Sequence, residues 1–472
     1  MDSRILLAFY GDDFSGTTAA AEALFESGVP TLIFTDPPDP MLLAKHFPTV
    51  QAVGVAGIAR TLPAEELSGA LSPVFRAFQR YRPPVVLYKV CSTFDSSAET
   101  GSIGRAIEIG RDIFAPDLIP LLPAAPRLGR YTAFGHHFAA LGGGEVYRLD
   151  RHPSMSKHPV TPMRESDLRL HLAHQTPLEA ALVSLLDLNR GPARVRQLLR
   201  ELRAKGTPLA LFDCVEERHL RLACRVICEQ ATRERPVFFV GSQEIGYGLG
   251  DVWRRAGLLP EANAGGAAVS GPERPLLVLS GSCATVTGRQ ILWAVENGFT
   301  EIKIAPEKLI DPTQRAIEMK RVADGCQKAI LQGDSVIAHT AAGPDDSRIV
   351  EMQKAQDSIS PSRKDANRVL GKALGEIAQQ ILRAAPVRRL VVAGGDTAGW
   401  VQQQLQVRAL QVAQPVGVAA PLCYLHSADP EFNGIEVAFK GGQIGTTDYF
   451  GQVRSAVTRG FASEALGSYP KR

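Results

Sequence analysis

The chain lacks any apolar run approaching the roughly 18 residues that a membrane-spanning helix needs, so no membrane partner is expected. Its apolar start, Ile5-Leu6-Leu7-Ala8-Phe9, is too short for a secretory signal and runs directly into Gly-Asp-Asp. Charge of either sign is in small excess, +3 over 472 residues. No stretch concentrates Lys and Arg into the basic stripe that a nucleic-acid partner demands. Cysteine is scarce: the 7 cysteines are scattered and odd in number, which suits reduced thiols in a cytoplasm better than a disulfide framework. Cys224 and Cys228 stand one helical turn apart, but no second pair completes a zinc site, and core packing explains them. A Walker A sequence is missing, and no Gly-x-Gly-x-x-Gly follows the first strand, which weighs against a P-loop enzyme or a dinucleotide dehydrogenase.

What is present is an ordinary enzyme composition, 45% hydrophobic and 21% charged, in a chain long enough for two or three domains. Short apolar runs alternate with helical stretches: 31–34, 52–56, 84–89, 118–122, 208–213 and 236–242, then 276–279, 301–304, 335–339, 390–393 and 435–439. Between Gly129 and Gln175 the pattern weakens into Gly, His and Pro. The small-residue stretch 258–275 reads as a linker. The expected fold is α/β: two successive α/β domains with mainly parallel sheets, 1–260 and 275–472, with an active site in the cleft between them.

The chain is organised around Gly11-Asp12-Asp13-Phe14-Ser15-Gly16, between the first strand and an Ala-rich helix starting near Thr17. Ligands of open α/β sheets bind beyond the carboxyl ends of the strands, where this turn sits. Adjacent carboxylates repel phosphate but suit a substrate hydroxyl, whose proton an aspartate can accept. The plainer alternative is that one aspartate caps the helix and the other is solvated.

The second half carries three glycine turns, each directly after a predicted strand: Ser280-Gly281-Ser282-Cys283, Gly394-Gly395-Asp396-Thr397 and Gly441-Gly442-Gln443-Ile444-Gly445. The first two lead into helices expected near Thr285 and Trp400. A glycine turn alone is commonly steric. Three in one half, whose N–H groups can hold phosphate oxygens, point to nucleotide binding. Six of the ten histidines fall between His136 and His174, at spacings that match no standard metal set; polar loop roles or a substrate contact explain them better.

These motifs together resemble the four-carbon acid sugar kinase family, whose members phosphorylate small sugar acids with ATP. The opening Gly11-Asp12-Asp13-Phe14-Ser15-Gly16, Arg60, Lys89-Val90-Cys91-Ser92-Thr93, Pro162-Met163-Arg164-Glu165-Ser166-Asp167 and the three glycine turns occur in the family's order along nearly the whole chain. The resemblance implies a sugar-acid domain followed by an ATP domain, with ATP and Mg2+ as cofactors, and leaves room for a homo-oligomer. It implies that Asp12, Arg60, Lys89, Val90, Cys91 and Ser92 contact substrate and that Asp12 or Asp13 is the base. It assigns ATP contacts to Ser280, Ser282, Gly394, Gly395, Asp396, Thr397, Gly441 and Gly442; no metal ligand is identified. Two departures fall in the substrate segment. Cys91 replaces the family's aspartate, and Phe94-Asp95-Ser96 replaces Leu-Arg-Gly. They resemble a branch acting on a branched 3-oxo acid such as 3-oxo-isoapionate, with 3-oxo-tetronate, threonate or erythronate as alternatives. From other classes, a non-catalytic sugar-acid sensor, or a lyase using Lys89 as a Schiff-base amine, remains open.

Overall fold

A computed structural model describes residues 4–141, 144–158, 160–259, 275–359, 363–417 and 420–458. The proposed linker falls almost wholly outside them. The chain divides into two compact units, Met1–Asn263 and Ala264–Arg472. All-parallel sheets are covered on both faces, so their strands read as continuous apolar runs rather than alternating ones. Leu7–Gly11 is such a strand, buried throughout.

The first unit is built on a parallel sheet. Its strand order is Thr31–Phe34, Ala52–Ala56, Leu7–Gly11, Val85–Lys89, Val237–Gly241, Ile119–Leu122, Leu209–Phe212, Ala180–Val183. The chain steps outward from Leu7–Gly11 to one side and then crosses to Val85–Lys89 on the other. This reversal of winding places a switch point at the carboxyl ends of those two strands. Gly11 is in register with both Ala56 and Lys89. The first strand extends two residues past the apolar run, so Asp12 follows it immediately; the helix starts at Phe14, not Thr17. The stretch with no clear pattern contains a small antiparallel sheet, Arg130–Ala133, His136–Ala140 and Val146–Arg148.

In the second unit the parallel order is Thr300–Lys303, Val336–His339, Leu276–Ser280, Arg389–Ala393, Glu436–Lys440. Leu422–Ser427 and then Val407–Gln414 extend it antiparallel. Sequence reading identified the five parallel strands and missed this antiparallel pair. Leu276, Val278, Ile291, Phe299, Val391 and Phe450 contribute to the core. The helix after Arg389–Ala393 runs Gly395–Gln404, five residues ahead of the expected start at Trp400. The second glycine turn therefore forms the first turn of a helix.

Candidate active site

In the first unit, strand pairing carries Asp12 and Lys89 to one edge. The Asp12 backbone N–H donates to the Lys89 carbonyl (3.0 Å), and the Arg60 N–H donates to the Asp12 carbonyl (3.0 Å). The Arg60 guanidinium then forks onto Asp12, with Nη2 2.7 Å from Oδ1 and Nε 3.1 Å from Oδ2. Its remaining nitrogen, Nη1, donates to Asp13 Oδ2 at 2.9 Å. Such planar two-point pairing fixes a carboxylate's orientation as a lysine would not. Asp12 is 2% exposed. Burial pushes its carboxyl above the ordinary carboxylate range, against the pull of Arg60 and Lys89. Burial opposes the Arg60 charge in turn, but the adjoining Asp12 and Asp13 carboxylates outweigh it and hold the guanidinium above its usual value.

The two aspartates have different environments. Asp13 caps the helix Phe14–Glu26, its Oδ1 accepting from the Gly16 N–H at 2.7 Å. The anticipated cap is therefore real, but its neighbour is buried and paired rather than solvated. Lys89 Nζ, itself buried, lies 4.0 Å from Asp13 Oδ1. It packs so closely over the helix start that a Cβ on Gly16 would fall 1.9 Å from Nζ.

Among the other substrate candidates, Val90 is fully buried and its N–H donates to Gly241, so its side chain belongs to the core. Cys91 Sγ lies 3.0 Å from Thr93 Oγ1, which donates to Asp95. Burial, reinforced by Asp95, raises the Cys91 thiol, so it is not a poised thiolate. The Ser92 carbonyl accepts from His137 Nε2 at 2.7 Å, while His137 Nδ1 pairs with Thr132 Oγ1 at 2.9 Å. Burial lowers His137 to about 4, so the ring is neutral with its proton on Nε2. Four of its neighbours in the histidine-rich stretch are likewise engaged. His136 pairs with Ser166, His152 and His158 accept local backbone N–H groups, and His171 meets Ser96. Among the described residues no cluster of three or more His, Cys, Asp or Glu could hold a metal ion.

Arg130, which the sequence reading did not select, begins the same small sheet. Its Nη1 donates to the Leu128 carbonyl at 2.6 Å, while its buried Nε has no hydrogen-bond partner. Burial lowers the Arg130 guanidinium, and the charge of Asp95 acts in the opposite direction.

In the second unit, Ser280, Ala393 and Lys440 are in register across three adjacent parallel strands. The three glycine turns therefore leave the sheet side by side. A Cβ on Gly281 would fall 2.2 Å from Thr397 Oγ1, and one on Gly442 2.5 Å from Ser282 Oγ. Gly394, at φ 116°, adopts a backbone conformation that glycine alone takes readily. The Ser282 N–H is turned to Ser280 Oγ (3.3 Å), and Ser282 Oγ accepts from the Ala284 N–H (3.2 Å). A Cβ on Gly395 would meet nothing within 4 Å. The side chain of Asp396 lies outside the described residues. Helices Thr285–Glu296 and Gly395–Gln404 both start here, so unpaired first-turn N–H groups of two helices converge with the turns. Beneath them Lys440, 1% exposed, donates to Thr287 Oγ1 at 3.1 Å, and Thr287 Oγ1 donates to the Gly442 carbonyl at 2.7 Å. Burial lowers the Lys440 ammonium to about 8.

No helix among the described residues is long and apolar enough to cross a membrane. Residues 7–249 match the model of a sugar-binding N-terminal domain, and residues 277–450 that of a nucleotide-binding C-terminal domain. The chain is 43% identical over 450 residues to a 3-oxo-isoapionate kinase of Paraburkholderia graminis, covering 95% of this chain and 94% of that protein. It is 30% identical over 463 residues to a 3-oxo-tetronate kinase of Pseudomonas fluorescens, covering 97% and 99%. The crystal structure of a Haemophilus influenzae protein shares the fold, with TM-score 0.73 and 22% identity over 95% of this chain and 99% of that one. Both domain models and full-length kinase relatives thus meet on one sequence, which belongs to the four-carbon acid sugar kinase family.

Proposed function

We propose that this sugar-acid kinase transfers the γ-phosphoryl group of ATP to a terminal hydroxyl of a small 3-oxo sugar acid, with 3-oxo-isoapionate as first choice. The observation carrying that choice is the 43% identity to a 3-oxo-isoapionate kinase along almost the whole chain. The 30% identity to a 3-oxo-tetronate kinase supports that acid as the second reading. The residues 1–260 serve as the substrate domain and 275–472 as the ATP domain.

Asp12 acts as the base. It is rigidly held by Arg60, and burial raises its carboxyl above the usual range, which suits it to accept a proton. Asp13 anchors the turn. Arg60 positions both, because three of its nitrogens are already committed to the aspartates. Lys89 and Arg130 supply the positive charge that an acid substrate needs, and Cys91 and Ser92 shape the adjoining wall.

Ser280, Ser282, Gly394, Gly395, Asp396, Thr397, Gly441 and Gly442 form the phosphate site. Phosphoryl transfer needs little covalent chemistry from a protein, only alignment and charge neutralisation. Magnesium typically keeps several waters and takes phosphate oxygens with one or two carboxylates, so the absence of a metal cluster among the described residues fits entry as MgATP. When bound it would neutralise charge on the phosphates. All seven cysteines are free, which fits a reducing, ATP-bearing cytoplasm.

The test is kcat/KM with ATP for 3-oxo-isoapionate, 3-oxo-tetronate, threonate and erythronate, on the wild type and on Cys91→Asp with Asp95→Arg. A wild type preferring threonate, unchanged in the double variant, would remove the substrate assignment.

A further inference from the structure

A cavity of about 250 Å³ opens in the first unit between the helices Pro192–Ala204 and Glu217–Cys228. We propose that it is a binding site, separate from the active site, for a small organic phosphate of the sugar or polyol phosphomonoester class. The two helices lead back to the strands Leu209–Phe212 and Val237–Gly241. The cavity gathers Arg203 from the last turn of the first helix, and Glu229 and Gln230 from just past the end of the second. It therefore lies toward the amino ends of those parallel strands, whereas Asp12 follows a carboxyl end. Asp117, just ahead of the strand Ile119–Leu122, acts on the charge of Arg203, in agreement with that placement.

Arg196, Arg200 and Arg203 share one face of their helix, at spacings where like charges repel. Arg196 is neutralised, because it forks onto Glu229 with Nε 2.7 Å from Oε2 and Nη2 2.6 Å from Oε1. That pairing commits both Glu229 oxygens. Among the described residues Arg200 and Arg203 form no ion pair and no side-chain hydrogen bond. Arg203 is half-buried, and burial lowers its guanidinium against the pull of Asp117. On the second helix, Arg225 Nε is buried without a hydrogen-bond partner. Taking cations out of water with no counter-ion is costly, and an anion held between them removes that cost.

Two unpaired guanidiniums call for a dianion. A phosphomonoester carries about −1.5 to −2 charge at neutral pH, and its oxygens accept the paired N–H groups of a guanidinium fork. A single carboxylate supplies half that charge. The rest of the lining describes the carrier. Buried Leu199 and Val226 offer apolar surface to carbon atoms, and the Gln230 amide can donate to or accept from hydroxyl groups. The volume lies below the roughly 300–1,000 Å³ of pockets that bury drug-sized ligands, so a skeleton of a few carbons fits better than a nucleotide.

The experiment is calorimetry on the intact chain saturated with MgADP, which keeps the phosphate site of the second unit occupied. The probes are glycerol 3-phosphate, inorganic phosphate and glycerol. One variant is Arg200→Gln with Arg203→Gln, which removes both charges; another is Arg200→Gln alone, at an exposed position. Arg200→Lys with Arg203→Lys keeps the charges without the forks. The wild type should bind glycerol 3-phosphate at least tenfold more tightly than inorganic phosphate, and should not bind glycerol. The double Gln variant should lose that affinity tenfold or more, Arg200→Gln alone a smaller share, and the double Lys variant should retain part of it. MgADP affinity and kcat should stay within twofold throughout, which shows that each variant is folded. Equal glycerol 3-phosphate affinity in the wild type and the double Gln variant overturns the site and leaves the kinase reading standing. Equal wild-type affinity for inorganic phosphate and glycerol 3-phosphate overturns the organic carrier. A tenfold fall in kcat with MgADP affinity intact in the Gln variants overturns the separation from the active site.

Discussion

Replacing Asp12 by Asn separates chemistry from architecture. Asn keeps the size of the side chain but cannot accept the substrate proton as a carboxylate does. Loss of general-base help should lower kcat by about a hundredfold or more. The structural cost is partly independent. Asn can still accept one of the two Arg60 bonds, while its NH2 opposes the other donor. Arg60 keeps Asp13 at 2.9 Å, and its side chain is 23% exposed rather than sealed. The loss should therefore fall short of the 3–5 kcal/mol typical of breaking a buried pair. About 1–3 kcal/mol is expected, a fall in Tm of about 2–4 °C for each kcal/mol. MgATP affinity should stay within twofold, because the match to a nucleotide-binding domain falls on residues 277–450, away from Asp12. As the proposed base, Asp12 should also set an acid limb in kcat/KM. With its carboxyl raised, the base form is lost as pH falls through a value above the ordinary carboxylate range. That limb should vanish in Asp12→Asn. The assay is ADP release against pH, with calorimetric ATP binding and a thermal melt on each protein. A variant with kcat within tenfold of wild type but a lowered Tm would refute the base assignment and leave Asp12 a structural residue.

Gly442→Ala should raise KM for ATP at least tenfold with little change in sugar-acid KM, since its Cβ would fall 2.5 Å from Ser282 Oγ; steady-state kinetics check this. Lys440→Met should raise Tm while weakening ATP binding. The ammonium is lowered from 10.5 to about 8, so the folded unit carries a charge penalty below pH 8 that is relieved as pH rises towards 10.5. Arg130→Gln should raise sugar-acid KM at least tenfold with ATP affinity intact, and equal KM values would remove it from the substrate site. Acidification should destabilise the first unit between pH 6.5 and about 4, because His137 and His171 are held neutral at about 4 while the unfolded chain protonates near 6.5. Each contributes up to roughly 3 kcal/mol across that window, and His137→Gln should flatten the denaturant-measured pH dependence.

Features that depend on adjacent residues are legible in the chain before it folds. Buried parallel strands appear as short apolar runs, 5–9 and 276–279 among them, because both faces are covered. Glycine turns and the Gly-Asp-Asp step mark strand ends because backbone geometry demands small or capping residues there. Family membership followed from these local signals in order. Features that depend on register and packing between distant segments arise only on folding. Asp12 and Asp13 are equivalent in sequence, and only the arrival of Arg60 from 47 or 48 residues away buries one and leaves the other as a cap. The three glycine turns converge only because Ser280, Ala393 and Lys440 share one register. The start of Gly395–Gln404 was placed late because glycines in a helix's first turn read as loop. Arg130 and His137 sit in a small antiparallel sheet whose short, mixed strands carry no clear period. Lys440 looks like any strand-end lysine until burial beside Thr287 shows otherwise. Side-chain pairing across long separations leaves no local pattern, so the roles of those residues emerge only in the folded chain.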